Sequence, residues 1–190
     1  MKLTNLTKFI GAECRIGQQK LGVDIAPSLL KKYNKKLDID IIKDFNDESY
    51  IELYNKHNKY LQEYNVITIG GDHSISLSTV ASSLKKYGEA LNVIWIDAHA
   101  DIHTRKSSET KNTHGMPLGS LLGHDPFFNF PTLLPSQLTY IGLRDVDMYE
   151  KKVIYDNNIT NYDMDYIKTH SIYCVVKHIS KINGPIHLSF

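Results

Sequence analysis

The sequence predicts an α/β fold, a mainly parallel sheet with helices on both faces. Short apolar runs alternate along the chain with amphipathic stretches of helical length. Two of those runs, 66–69 (VITI) and 93–96 (VIWI), show no polar alternation, as expected of strands covered on both sides. Repeated β–α–β order of this kind favours parallel strands joined by crossover helices.

Taken in order, residues 5–11 (NLTKFIG) read as a first strand. Pro27 then opens a short helix through Leu29, Leu30 and Tyr33, since proline suits a first helical turn. Residues 47–64 put Tyr50, Leu53, Tyr54, Leu61 and Tyr64 on one helical stripe ahead of strand 66–69. A helix over 74–87, capped by Ser74 and ended by Gly88, is expected to bury Leu77, Val80, Ala81 and Leu84. Strand 93–96 follows. Residues 97–113 are polar and too long for a simple connector. Next come a strand at 138–142 (LTYIG), a helix near 147–157 and a short strand near 159–162. One long helix near 164–182 carries Ile167, Ile172, Val175, Val176 and Ile179, and 185–190 (PIHLSF) reads as a buried strand.

With 190 residues, 42% of them hydrophobic, the chain suits one domain over 1–190. It is expected to be incomplete at its C-terminal end, because no helix follows the last strand to cover the sheet. Lysine and arginine number 22 against 21 acids, a net charge of +1 that gives no reason to expect nucleic acid or an anionic membrane as partner. The two cysteines, Cys14 and Cys174, form neither a disulfide framework nor a CxxC zinc site, and fit reduced thiols. The first residues lack the apolar core of a signal peptide. No apolar run approaches the roughly 20 residues that span a bilayer. The expected location is the cytoplasm.

In an open parallel sheet, ligands bind beyond the carboxyl ends of the strands. Two segments there have unusual content: Gly70-Gly71-Asp72-His73-Ser74 after strand 66–69, and Asp97-Ala98-His99-Ala100-Asp101 after strand 93–96. On extended backbone, Asp97, His99 and Asp101 would point to one side, and the two glycines would let a tight turn bring His73 to the same point. Singly, a histidine at a strand end is usually a hydrogen-bonded loop residue, and DxHxD is a turn or a cap. Together they point to a metal, since converging buried acids without a cation repel each other at a desolvation cost. Oxygen and imidazole donors without thiolate favour Mn²⁺, then Fe²⁺, Co²⁺ or Ni²⁺, over structural zinc. A carboxylate such as Asp97 can bridge two ions about 3.5–4 Å apart. His114 alone reads as a capping or core histidine, and Asp147, with Glu150 one turn later, as an acidic helix start. Ser74 beside His73 is no nucleophile pair, and Gly70-Gly71 is no phosphate loop, because no GK[ST] follows.

The segments IGGDHSIS (69–76), WIDAHADIHT (95–104), NTHGMPLGSLLG (112–123), YIGLRDVD (140–147) and PIHLSF (185–190) resemble the arginase/agmatinase family of ureohydrolases, as does GVDIAPSLL (22–30). The resemblance runs in order from about residue 9 to the end. It implies a three-layer α/β/α sandwich and two Mn²⁺ ions, with His73, Asp97, His99 and Asp101 as ligands and Asp97 bridging. It further implies hydrolysis of a guanidinium group to urea by a metal-bridged hydroxide, with His114 transferring protons. His103, Thr110 and Asn112 stand where the family holds the substrate's carboxylate; His103 replaces the usual Asn and Thr110 the usual Ser. Asp147 matches the acid that reads the α-ammonium, and Glu150 an acid nearby. The RDVD form resembles arginase more than agmatinase, so the implied substrate is L-arginine, yielding L-ornithine. Agmatine or another guanidino or formimino compound is the alternative, and an inactive truncated fragment the non-enzymatic one. The family continues from a segment like HLSF into an Asp-x-Asp motif with further ligands, and later to a Glu that grips the guanidinium. Weak metal binding and little activity are therefore expected of the 190 residues alone. The family expectation for a complete protein is a homotrimer.

Overall fold

The computed structural model describes residues 7–190. Its elements are β1 (Thr7–Ala12), α1 (Ala26–Tyr33), β2 (Ile39–Ile42), α2 (Asp47–Leu61), β3 (Asn65–Ile69), α3 (Ser76–Tyr87) and β4 (Asn92–Ile96). After these come α4 (Pro117–Leu121), β5 (Leu138–Ile141), α5 (Met148–Asp156), β6 (Thr160–Tyr162), α6 (Met164–His170), α7 (Ile172–Ile179) and β7 (Ile186–Ser189). Every strand pairing is parallel. The strands form two hydrogen-bonded sheets, ordered β2-β1-β3 and β6-β5-β4-β7.

Helices lie on both faces, as the β–α–β pattern requires. Ile10 of β1 and Val93 and Trp95 of β4 share one core with Leu53 of α2 and with Leu77, Val80 and Leu84 of α3. Neighbouring residues point the other way. Gly11 faces Pro27 of α1, and Ile94 and Ile141 pack on Val175 of α7. Two histidines meet behind the sheet, buried His57 of α2 and half-buried His187 of β7. His57 Nδ1 lies 3.0 Å from Ser82 Oγ, and His187 Nδ1 lies 2.8 Å from Ser83 Oγ. Their rings are 6.2 Å apart.

The sequence reading needs correction at several elements. Residues 5 and 6 of the expected first strand lie outside the described residues. Strand β2 was not expected; its four residues sit between polar segments too short to show a period. The turn into α3 is capped by Asp72, whose side chain accepts from the Ser74 amide, and not by Ser74. The long helix near 164–182 is broken at Ser171, where φ is +70° and helical hydrogen bonding cannot continue. Strands β3 and β7 are not buried on both faces: Ile67 is 48% exposed and Leu188 51%. Each lies at a sheet edge, with no strand on its far side among the described residues. Among the described residues, no helix is long and apolar enough to cross a membrane.

Candidate functional site

Because all strands are parallel, the loops after β1, β3, β4 and β5 leave the sheets at one rim. The loop after β1 is tied to the loop after β3. The Asp72 amide donates to the Cys14 carbonyl at 2.9 Å, and a Cβ at Gly71 would run into that carbonyl oxygen. Only glycine lets the two backbones approach this closely. Below them, Asp72 is buried and accepts from the amides of Gly17 (2.9 Å) and Ser74 (3.0 Å). Tyr50 Oη and Ser74 Oγ lie 2.6 Å apart in the same network.

Held in this way, His73 stacks on Trp95, with centroids 4.2 Å apart and planes inclined by 22°. Its Nδ1 lies 2.9 Å from Asp97 Oδ2 and 3.0 Å from Asp101 Oδ2, while Nε2 lies 2.8 Å from Ser189 Oγ. The three residues offer donor atoms within 4.8 Å of one another. Burial opposes protonation of His73, but the hydrogen bonds to Asp101 and Asp97 outweigh it and raise the imidazole pKa to about 9. Burial also pushes the Asp101 carboxyl up, against the pull of His73. For Asp97, burial is outweighed by His73 and by the His99 amide, and the carboxyl is lowered. The cluster as a whole holds on to a proton. That proton sits between two carboxylates, where a divalent cation would satisfy the same charge, so the donor set fits a metal.

The segment 97–101 is not extended, which corrects the reasoning from alternate residues. Asp97 Oδ1 accepts from the His99 amide at 3.1 Å, and Asp101 has φ +50°. The positive φ, tolerated by Asp more than by most residues, turns Asp101 inward. Tyr140 Oη donates to the Ala100 carbonyl at 2.7 Å and Leu118 N to the Asp101 carbonyl at 2.9 Å, which holds the bend. His99 is left outside the cluster. Its side chain is 57% exposed, with Nδ1 3.5 Å from Asp97 and Nε2 3.4 Å from Asp145.

A second group gathers beside the first. His103 Nε2 lies 3.0 Å from Asp147 and 3.9 Å from Glu150, and its Nδ1 lies 3.0 Å from Ser107 Oγ. The ring stacks on Tyr149. Asp147 also caps α5 by accepting from the Glu150 amide at 2.8 Å, so the expected acidic helix start is present. Burial raises the Glu150 carboxyl. His114 lies in the turn before α4, where its amide and Nδ1 both donate to the Gly17 carbonyl, at 3.0 and 2.8 Å. Thr110 is exposed, and its hydroxyl accepts from the Asn112 amide at 3.3 Å. The parts played by Gly17 and Trp95 are not readable from sequence, because they rest on contacts with Asp72 and His73 in a distant segment. A surface cavity of about 730 Å³ between α5 and α6 contains none of the predicted residues.

Comparison with known proteins bears on this arrangement. The family model described as the arginase family matches residues 7–190. The chain is similar to an arginase of Glaciozyma antarctica, 42% identical over 138 residues, which is 65% of this chain and 40% of that protein. It is 32% identical over its whole length to an arginase of Staphylococcus aureus, covering 75% of that protein. Among solved structures, the Entamoeba histolytica arginase in complex with L-ornithine superposes with a TM-score of 0.87 at 28% identity, over 97% of this chain and 74% of that one. The match thus spans two fifths of the first relative's length and about three quarters of the other two.

Proposed function

The chain belongs to the arginase family, and on that premise we propose that its protein hydrolyses the guanidinium group of L-arginine to urea and L-ornithine. The observation that carries this reading is the convergence of His73, Asp97 and Asp101, whose donor atoms lie within 4.8 Å of one another at the sheet's rim. They would hold Mn²⁺, and Asp97 is the carboxylate that would be shared between two ions. His99 joins as a ligand by rotating away from Asp145. A bound Mn²⁺ pair supplies the Lewis acidity that makes water a nucleophile near neutral pH.

The chain's own residues do the rest. His114, held through Nδ1, moves a proton at Nε2. Asp147 and Glu150 place two carboxyl groups beside His103, suited to a substrate's α-ammonium. His103, Thr110 and Asn112 line the polar loop proposed to meet its carboxylate. Both ends of an amino acid with a guanidinium tail then have a counterpart. The Entamoeba relative's complex with L-ornithine supports a ligand of this class.

The test is urea release from L-arginine and from agmatine by the Mn²⁺-loaded protein. Turnover of L-arginine well above agmatine is expected. Agmatine consumed while L-arginine stays untouched would overturn the assignment of Asp147.

A further inference from the structure

We infer that Gly17 is a positioning residue for His114, setting which ring nitrogen carries the proton. The proposal rests on the proton-transfer role given to His114 above, but its geometry does not. A backbone carbonyl has no hydrogen to give, so the 2.8 Å contact between His114 Nδ1 and the Gly17 oxygen requires a hydrogen on Nδ1. In the neutral ring, Nε2 is then the acceptor. The same oxygen takes the His114 amide at 3.0 Å, so ring and backbone are gripped by one atom.

That atom is itself held from behind. The Gly17 amide donates to Asp72 Oδ2 at 2.9 Å, and Asp72 caps the turn that begins with His73. One buried residue, through its amide on one side and its carbonyl on the other, therefore links the turn of the proposed metal ligand to the turn of the proposed proton carrier. A side chain cannot replace the hydrogen at Gly17, because a Cβ would collide with Asp72 Oδ1 and approach Ser74 Oγ to 2.7 Å. The consequence is chemical. A proton accepted at Nε2 gives an imidazolium that keeps Nδ1–H on the Gly17 carbonyl, and the same Nε2–H is the one it returns. The proton enters and leaves at one atom, with no ring flip.

Nitrogen-15 ring spectra of the 190-residue chain without metal, at mildly alkaline pH, test this directly. The His114 signals are identified by their loss in His114→Gln. The expected pattern is Nδ1–H with an unprotonated Nε2, and an Nε2–H pattern in the folded chain would overturn the inference. In Gly17→Ala, the Nδ1–H pattern is expected to be lost. Should that variant fail to fold by its amide spectrum, the near-isosteric Asp72→Asn, which weakens the acceptor behind Gly17, is expected to reduce it. An unchanged Nδ1–H pattern in a folded variant of either kind also overturns the role. None of these spectra depends on urea release, so the inference and the proposed activity fail separately.

Discussion

His103 Nε2 and Asp147 Oδ2 lie 3.0 Å apart, joining the polar loop to the first turn of α5. Asp147 uses its other oxygen to cap that helix. Its two jobs can be separated. Asp147→Ala removes cap and charge, and should cost about 1 kcal/mol of stability. That corresponds to a Tm lower by roughly 2–4 °C in a chain of this size. Asp147→Asn retains a capping oxygen and should leave Tm close to wild type. Its KM for L-arginine should still rise roughly ten- to hundredfold, as loss of a hydrogen bond to a charged group implies. Equal KM values for Asp147→Asn and wild type would remove Asp147 from substrate recognition.

Asp97 is the proposed bridge between metal ions. Outer-shell partners of metal ligands are worth about 10–100-fold in affinity, so Asp97→Ala should weaken Mn²⁺ binding by more than about a hundredfold. The chain's one tryptophan, Trp95, stacks on His73 and should report the event by its fluorescence. A Mn²⁺ titration should change the emission of the wild type and leave that of Asp97→Ala flat over the same range. Matching curves would end the bridging role.

The neighbouring rings of His57 and His187 make a prediction about acid. Burial, and for His57 also the nearness of His187, lowers their pKa values to about 3 and about 4. The unfolded chain takes up these protons near pH 6.5, and the folded chain does not. Stability is therefore unaffected above about pH 6.5 and falls as the pH drops below it. The loss levels off only below about pH 3–4, at a total on the order of several kcal/mol. His57→Gln and His187→Gln should each move the midpoint of acid unfolding, followed by circular dichroism, to lower pH. A midpoint unchanged in both would show that these imidazoles do not govern the transition.

Gly71 carries the closest backbone approach in the site. A methyl group there meets the Cys14 carbonyl oxygen, which also accepts the Asp72 amide. Gly71→Ala should cost about 3 kcal/mol and lower Tm by roughly 6–12 °C. Calorimetry would decide, and a loss below about 2 °C would mean that the loop yields easily.

What the sequence made legible follows from the range of the interactions involved. Strands 66–69 and 93–96 and the loops that follow them are written in contiguous residues, so the meeting of His73 with Asp97 and Asp101 could be expected before any coordinates. The path to it could not. Asp101 reaches the cluster through a positive φ fixed by Tyr140 and Leu118, and those contacts cross 40 and 17 positions of sequence. The same bend turns His99 outward, a result that alternation along an extended segment cannot anticipate. Ser171 interrupts an apolar stripe that otherwise reads as one helix from 164 to 182, and neither glycine nor proline marks the break. Strand β2 owes its place to pairing with β1, Phe9 beside Ile39, more than to a pattern of its own.

The separation of the strands into two sheets affects how the chain behaves in company. Among the described residues the two sheets end at β2, β3, β6 and β7. The edge strands β3 and β7 carry half-exposed Ile67, Ile186 and Leu188, and unpaired backbone groups beside apolar side chains are templates for a neighbouring molecule's strand. During expression at high concentration, copies of the chain would meet one another first along these strands, so clumping, and the chaperone traffic that prevents it, should begin there.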